Sequence, residues 1–239
     1  MNPTDAPPTI AFICAMPMEL RPLTRKLSLQ PDRIGELHVR VGKLGDHRVI
    51  AIVTGMGTRL AAEKTARLLD ATPVARVVVV GITGGMDERV PVGSMVFPAV
   101  VVDAASGAEH RPAPLGDGAP SGTMWTSDQL MTDPEAIAGL RNRGVVALDM
   151  ETAAIAEVCE RRDIPWSVFR AISDRVTDGS LEEEILHLSH PDGTPNLPAV
   201  ARYVLTHPGR LPGMVGLARG AKLATATAAA AAIRALSSI

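Results

Sequence analysis

"VARVVVVGI", residues 74–82, runs through four consecutive valines with no polar residue between Arg76 and Gly81. A half-exposed strand alternates apolar and polar residues, because successive side chains point to opposite faces. An unbroken β-branched run fits a strand covered on both faces, the position of a central strand in an α/β sheet. The flanks agree. Upstream, "TRLAAEKTARLLD" (58–70) has apolar residues at helical spacing, and "TIAFICA" (9–15) reads as a buried strand followed by a helix in "MELRPLTRKL". "LHVRVGKL" and "HRVIAIVTG" read as two strands joined through "GDH" as a hairpin. Downstream, "VGSMVFPAVVVD" (92–103), "GVVALD" and "PWSVFRAIS" are three more strands. Pro98 interrupts the first and places a bulge or an edge there, and a helix over 151–162 separates the other two. Strand–helix alternation of this kind predicts an α/β fold with a parallel or mixed sheet.

The chain has 239 residues, enough for one domain with a sizeable core. Residues 104–122, rich in Gly, Pro, Ala and Ser, read as a mobile surface loop too short to separate two domains. "SHPDGTPNLP" (189–198) is a second loop, followed by a helical tail over about 198–237. A formal net charge of −2, no basic run and only six aromatic residues exclude a broad nucleic-acid footprint, which needs a basic face to displace counterions. Cys14 and Cys159 belong to no CxxC pair, so they read as buried free thiols of a reducing compartment. "MNPTDAPPTI" lacks a secretory signal, and "ATATAAAAAI" is too weakly apolar to span a bilayer, so a cytoplasmic location without a membrane span is expected.

Ligands of open α/β sheets collect at the C-terminal ends of the strands. There stand "AMPMEL" with Glu19, "TGMGT", "ITGGM", "DMET" with Asp149 and Glu151, and "SDR" with Asp174. Arg170 lies within the last strand, and a buried arginine is costly unless paired, so it should face one of these acids. Singly, each signal has a plainer reading. "TGMGT" carries Leu60 where a dinucleotide turn needs its third glycine, and "HLSH" (187–190) offers two histidines but no further metal ligand. Asp149 alone could cap the following helix, and Glu151 alone could face its dipole. Neither a cofactor nor a metal is called for.

Together, "AMPMEL", "TGMG", "VGITGGMDERVPVGSMV", "ALDMETAAIAEVC" and "VFRAISD" resemble, in order and spacing, the purine nucleoside phosphorylase/uridine phosphorylase family. The nearest branch is that of the methylthioadenosine/S-adenosylhomocysteine nucleosidases. The resemblance covers residues 9–176 and implies a three-layer α/β/α fold with a central mixed sheet. It also implies a small nucleoside as substrate and a homodimer whose partner closes the 5′ end of the pocket. It places Asp174 beside the purine N7 as proton donor, Glu19 on the attacking water as general base, and Arg170 near that water. Glu151 would accept the ribose 2′- and 3′-hydroxyls while Met150 packs against the sugar. Thr83 and Gly84 would line sugar and base, with Ser173 beside them. Met131 would meet the adenine edge through its main chain, with Leu130 next to the ring. Met16 and Met56 would form an apolar pocket for a 5′-thioalkyl group.

Phosphorylases of this family bind phosphate with arginines and a serine in a Gly-Ser-x-Gly turn. Here the turn is "GITGG", with Ile82 in place of that serine. An anion would lack charge-assisted donors, so the expected nucleophile is water. Three alternatives stand beside an adenine-releasing nucleosidase. They are a phosphate-dependent phosphorylase, a nucleoside-binding protein without turnover, and a hopanoid-associated adenosyl-lipid nucleosidase, whose C-terminal region the tail from Leu197 resembles.

Overall fold

The computed structural model describes residues 8–176, 188, 190, 194 and 196–238. Residues 1–7 and His187 of "HLSH" lie outside the described residues. The described strands are β1 (Thr9–Cys14), β2 (Gln30–Ile34), β3 (Leu37–Leu44), β4 (His47–Val53), β5 (Arg76–Gly85), β6 (Met95–Val96), β7 (Val100–Asp103), β8 (Glu109–His110), β9 (Thr123–Thr126), β10 (Val145–Asp149) and β11 (Trp166–Arg175). The helices are α1 (Pro17–Lys26), α2 (Thr58–Ala71), α3 (Pro134–Asn142), α4 (Thr152–Glu160), α5 (Leu197–Thr206) and α6 (Leu211–Leu236). All the strands join one mixed sheet, ordered β2-β3-β4-β1-β5-β10-β9-β7-β8, with β11 on β5 and β6 on β11.

The valine run fills the expected place. β5 lies parallel to β1 on one side and to β11 on the other, and Val77–Val80 are buried. Val77 and Val79 share a core with Ala61 and Leu68 of α2 and Ala153, Ile155 and Ala156 of α4. Val78 and Val80 pack on the other face with Leu23 of α1 and with Ala224, Ala228 and Ala232 of α6. These two cores make the three layers. The alanine-rich part of the tail thus covers the sheet, where a small side chain lets a helix approach closely.

One irregularity of the sheet creates the site. β5 outruns β1: their pairing ends at Ile13↔Val79, and β10 joins antiparallel to β5 only at Gly84 and Gly85. Along that edge, Val80–Thr83 have no neighbouring strand, so the Ile82 backbone groups are left for side chains to satisfy.

The structure departs from the sequence reading at several points. Residues 92–103 are two strands, not one: β6 runs antiparallel to β11, whereas β7 runs parallel to β9. Pro98, lacking an N–H, stands in the break between them. Residues 104–122 are tied down rather than a free loop. β8 pairs with β7, His110 is buried with Nδ1 2.7 Å from Glu160 Oε2, and Ser167 Oγ donates to the Ala113 carbonyl at 2.7 Å. The tail is two helices with a 3-10 turn over Pro208–Arg210 between them. β2, β9 and α3 had no counterpart in the pattern of apolar residues. The hairpin is as expected, Leu44 pairing with His47 across Gly45 and Asp46.

Candidate active site

Glu19 sits in the first turn of α1 and is fully buried. Its Oε2 accepts the Ala15 and Met16 N–H groups at 2.7 and 2.9 Å, and its Oε1 accepts Ile82 N–H at 2.9 Å. The carboxylate thus fills the gap that β1 leaves beside β5. Three backbone donors fix its orientation and leave it capacity for one more. From the opposite side of β5, Arg170 reaches across Gly81. Its Nη1 donates to the Ile82 carbonyl at 2.9 Å and lies 3.5 Å from Glu19 Oε1.

Gly81 makes that crossing possible. A Cβ built there would lie 2.7 Å from Glu19 Cδ and 2.8 Å from Arg170 Nη1, closer than any packed carbon tolerates. The glycine ending the valine run is therefore a contact requirement of the site. Sequence reasoning gave Gly81 no role, although a glycine closing a buried β-branched run marks close approach of other groups.

Arg170 Nη2 binds the other acids, Asp149 Oδ2 at 2.7 Å and Glu151 Oε2 at 3.0 Å. The expectation that it faces one acid is exceeded threefold. Asp149 also accepts Thr126 Oγ1 at 2.6 Å, Thr152 N–H at 3.0 Å, and the Thr152 hydroxyl. It holds β9, β10 and α4 together. Thr126 and Thr152 were likewise missed, because their pairing with Asp149 crosses between elements. Glu151 Oε1 accepts Gly57 N–H at 3.0 Å, in a turn where Gly55 and Gly57 both have positive φ, 92° and 95°. That turn is the "TGMG" motif, and its Thr54 and Gly55 N–H groups bond back to the Cys14 and Ala15 carbonyls at 2.9 and 3.0 Å.

The charges do not balance. Three buried carboxylates surround one guanidinium, and burial penalises every one of them. Burial raises the Glu19 carboxyl above its ordinary range, against the opposing pull of Arg170 and three backbone N–H groups. Burial, opposed by Arg170 and reinforced by Asp149 and Glu19, pushes Glu151 up to about 7. Burial would lower the pKa of Arg170, but Asp149, Glu151 and Glu19 outweigh it and hold the group above its ordinary range. Arg170 Nε is buried without a hydrogen-bond partner among the described residues.

Asp174 stands four residues beyond Arg170 on β11, past a bulge between Ile172 and Asp174. It is buried, and Ser173 Oγ donates to its Oδ1. Its Oδ2 lies 3.9 Å from a Cβ built on Gly84. Ser173 and Asp174 line a cleft of about 470 Å³, walled by Val92 and by Gly213, Leu217 and Gly220 of α6. Glu19, Arg170 and Glu151 do not line that cleft. The site therefore has two parts, joined along β5. Thr83 lies between them, with Oγ1 donating to the Leu148 carbonyl at 2.6 Å.

The other expected residues flank this line. Met16 precedes α1 and donates its N–H to Glu19, Met56 lies between the two glycines of the turn, and Met150 is half-buried between Asp149 and Glu151. Met131, like Trp125, Leu148 and Val176, packs against the cluster of Met86, Ile137, Leu140 and Val145, and Val176 also lies 3.4 Å from the Cβ position of Gly84. Leu130 is half-buried next to it. Asp128 ties this segment to the Gly55–Gly57 turn by accepting the Thr58 N–H at 2.6 Å and hydroxyl at 2.5 Å. It caps α2 in place of Gly57, which has no side chain to do so. Cys14 and Cys159 are free and buried.

Comparison with known proteins agrees with this architecture. The phosphorylase superfamily profile matches residues 9–117 and 104–205. A 5′-methylthioadenosine/S-adenosylhomocysteine nucleosidase of Bacillus thuringiensis is 29% identical over 199 residues, covering 69% of this chain and 85% of its own. Among solved structures, the nucleosidase of the same description from Neisseria meningitidis, in complex with methylthio-immucillin-A, superposes with a TM-score of 0.72. It is 20% identical and covers 97% of this chain and 99% of its own. The futalosine hydrolase of Helicobacter pylori superposes with a TM-score of 0.73 at 15% identity, covering 97% and 98%. With its sheet, its two helical layers and the matched span all in agreement, this chain belongs to the phosphorylase superfamily.

Proposed function

We propose that this protein is a nucleosidase, hydrolysing the N-ribosidic bond of a 5′-modified adenine nucleoside of the methylthioadenosine/S-adenosylhomocysteine kind and releasing adenine. The observation that carries the reading is the buried excess of carboxylates around Arg170. Breaking the bond to the base turns the sugar oxocarbenium-like, and a fixed negative environment stabilises that charge more than it stabilises the neutral ground state. The same excess disfavours a phosphate nucleophile. Arg170, the cation that would hold it, already spends both terminal nitrogens on Ile82, Glu19, Asp149 and Glu151. The chain's similarity to the Bacillus thuringiensis nucleosidase supports hydrolysis.

In this mechanism the nucleoside lies along Gly81–Gly84, a strand length of about 10 Å, comparable to a purine nucleoside. At one end Asp174, held by the Ser173 hydroxyl, donates a proton to N7 of the leaving purine. At the other, Glu19 takes a proton from water attacking the anomeric carbon, its basicity raised by burial. Glu151, fixed by Gly57 N–H and Arg170, accepts the ribose hydroxyls, and Met150 supplies the apolar face for the ring. Met16, Met56, Leu130 and Met131 bound the substrate at its two ends. A homodimer and a cytoplasmic location complete the proposal, the first checked by sedimentation velocity.

The test is adenine release from 5′-methylthioadenosine and other 5′-substituted adenosines, each with and without phosphate. Turnover without phosphate is expected. Strict phosphate dependence would replace hydrolysis by phosphorolysis, and tight binding with no product over hours would leave a nucleoside-binding protein. The resemblance of the tail from Leu197 to the hopanoid-associated branch favours the inclusion of bulky apolar 5′ groups, such as the lipid chain of an adenosyl-lipid, in that panel.

A further inference from the structure

Helix α6 changes character along its length. From Ala224 onward it is buried against the sheet through Ala224, Ala228, Ala229, Ala231, Ala232 and Ala235. Before Ala224 it touches the sheet side only through residues such as Gly220, close against the Ser173 carbonyl, and leaves Leu211, Val215 and Leu223 exposed by 46%, 40% and 52%. On α5, Leu197 and Leu205 are exposed by 71% and 82%. These are five of the six large apolar side chains exposed among the described residues, gathered into one stretch of chain. The cations gather there too. From Asn196 to the last residue the chain has five basic residues and no acidic one, whereas the part before it has 19 basic and 26 acidic residues. Arg202, Arg210, Arg219 and Lys222 are all exposed. On α6, Leu211, Val215, Arg219 and Lys222 recur at four- and three-residue steps and share one face of the helix.

We propose that α5 and the first half of α6 form a docking surface for an anionic membrane, lying on it rather than crossing it. Exposed leucines flanked by Lys and Arg, without acids, are the composition of an interfacial helix, where apolar insertion and attraction to anionic lipid act together. No helix among the described residues is long and apolar enough to span a bilayer. A symmetric contact between two copies of this surface would set its cations against one another, so a second copy fits it less well than acidic lipid. The cleft on Asp174 lies on the other side of the same helix, walled by Gly213, Leu217 and Gly220.

The proposal is independent of the nucleosidase reading and is tested without turnover. The full chain is sedimented with phosphatidylcholine vesicles, with or without phosphatidylserine. Binding to the phosphatidylserine vesicles alone, weakened by added salt, is expected. Arg202→Glu with Lys222→Glu should lower the partition coefficient by more than tenfold, on the order of fivefold per cation removed. Leu197→Glu with Leu205→Glu should also release the protein, at an unchanged melting temperature that shows the fold intact. Failure to sediment with phosphatidylserine vesicles at low salt, or equal sedimentation by these variants, would overturn the proposal. So would self-association, seen by sedimentation velocity, that the leucine variants abolish in the absence of any vesicle binding.

Discussion

Arg170 and Asp174 lie four residues apart on β11, both buried, yet their surroundings differ in kind. Arg170 is enclosed: three carboxylates, a carbonyl and a threonine hydroxyl meet its two terminal nitrogens. Asp174 stands on the wall of a cleft of about 470 Å³, beyond a bulge that turns the strand. Under the proposed mechanism, the group that keeps its charge is locked among opposite charges, and the group that gives up a proton is placed where a ligand can reach it. One strand provides both environments because β5 beside it changes partners between Val79 and Gly84.

The contrast predicts opposite phenotypes for the two ends. Asp174→Asn should lower kcat by about 10²–10⁴ through loss of the proton donor, with a melting temperature close to that of the parent. A large stability loss instead would place Asp174 in the framework. Arg170→Leu should do the reverse to stability, leaving three buried carboxylates uncompensated at a cost of about 3–5 kcal/mol, read as a melting temperature lower by roughly 10 °C or more. A variant as stable as the parent would show that the cluster is not bound together by its cation.

Gly81→Ala inserts one methyl where Glu19 and Arg170 touch the strand. The expected cost is about 1–3 kcal/mol by denaturant unfolding, with activity falling because both side chains must shift. A neutral result would mean that Arg170 does not cross Gly81.

The smallest effect is a pH dependence belonging to Glu151. Its folded pKa of about 7 lies above the ordinary 4.5, so the folded protein holds this proton more tightly than the unfolded chain. Stability from this group is fully present below about pH 4.5 and is lost as pH rises through about 7. Substrate affinity should move the other way, because only the ionised carboxylate accepts both ribose hydroxyls. KM should therefore rise as pH falls below about 7. Glu151→Gln should flatten both dependences, and an unaltered KM profile in that variant would assign the titration elsewhere.

The central strands were legible in the sequence because burial on both faces writes itself as unbroken apolar runs, as in Val77–Val80 and "TIAFIC". β2 was not, because its five residues are all exposed or half-exposed, pair with β3 alone, and offer the core only Ile34. α3 announces itself only by Asp133 capping and Pro134 at its first position. The pairing of Arg170 with acids followed from the cost of burying a guanidinium, but which acids it meets depends on the register of separate elements. The motif residues were readable through resemblance. Gly81, Thr126 and Thr152 became visible only when three-dimensional neighbours were known.

The most direct test of the account is the affinity for two nucleoside analogues matched in shape, one carrying a protonated ring nitrogen in the sugar and one neutral there. If the carboxylates around Arg170 serve a cationic sugar, the charged analogue binds at least about 100-fold more tightly, and Glu151→Gln narrows the gap. Equal affinities would contradict the account, because the buried negative charge would then have no part in stabilising the transition state.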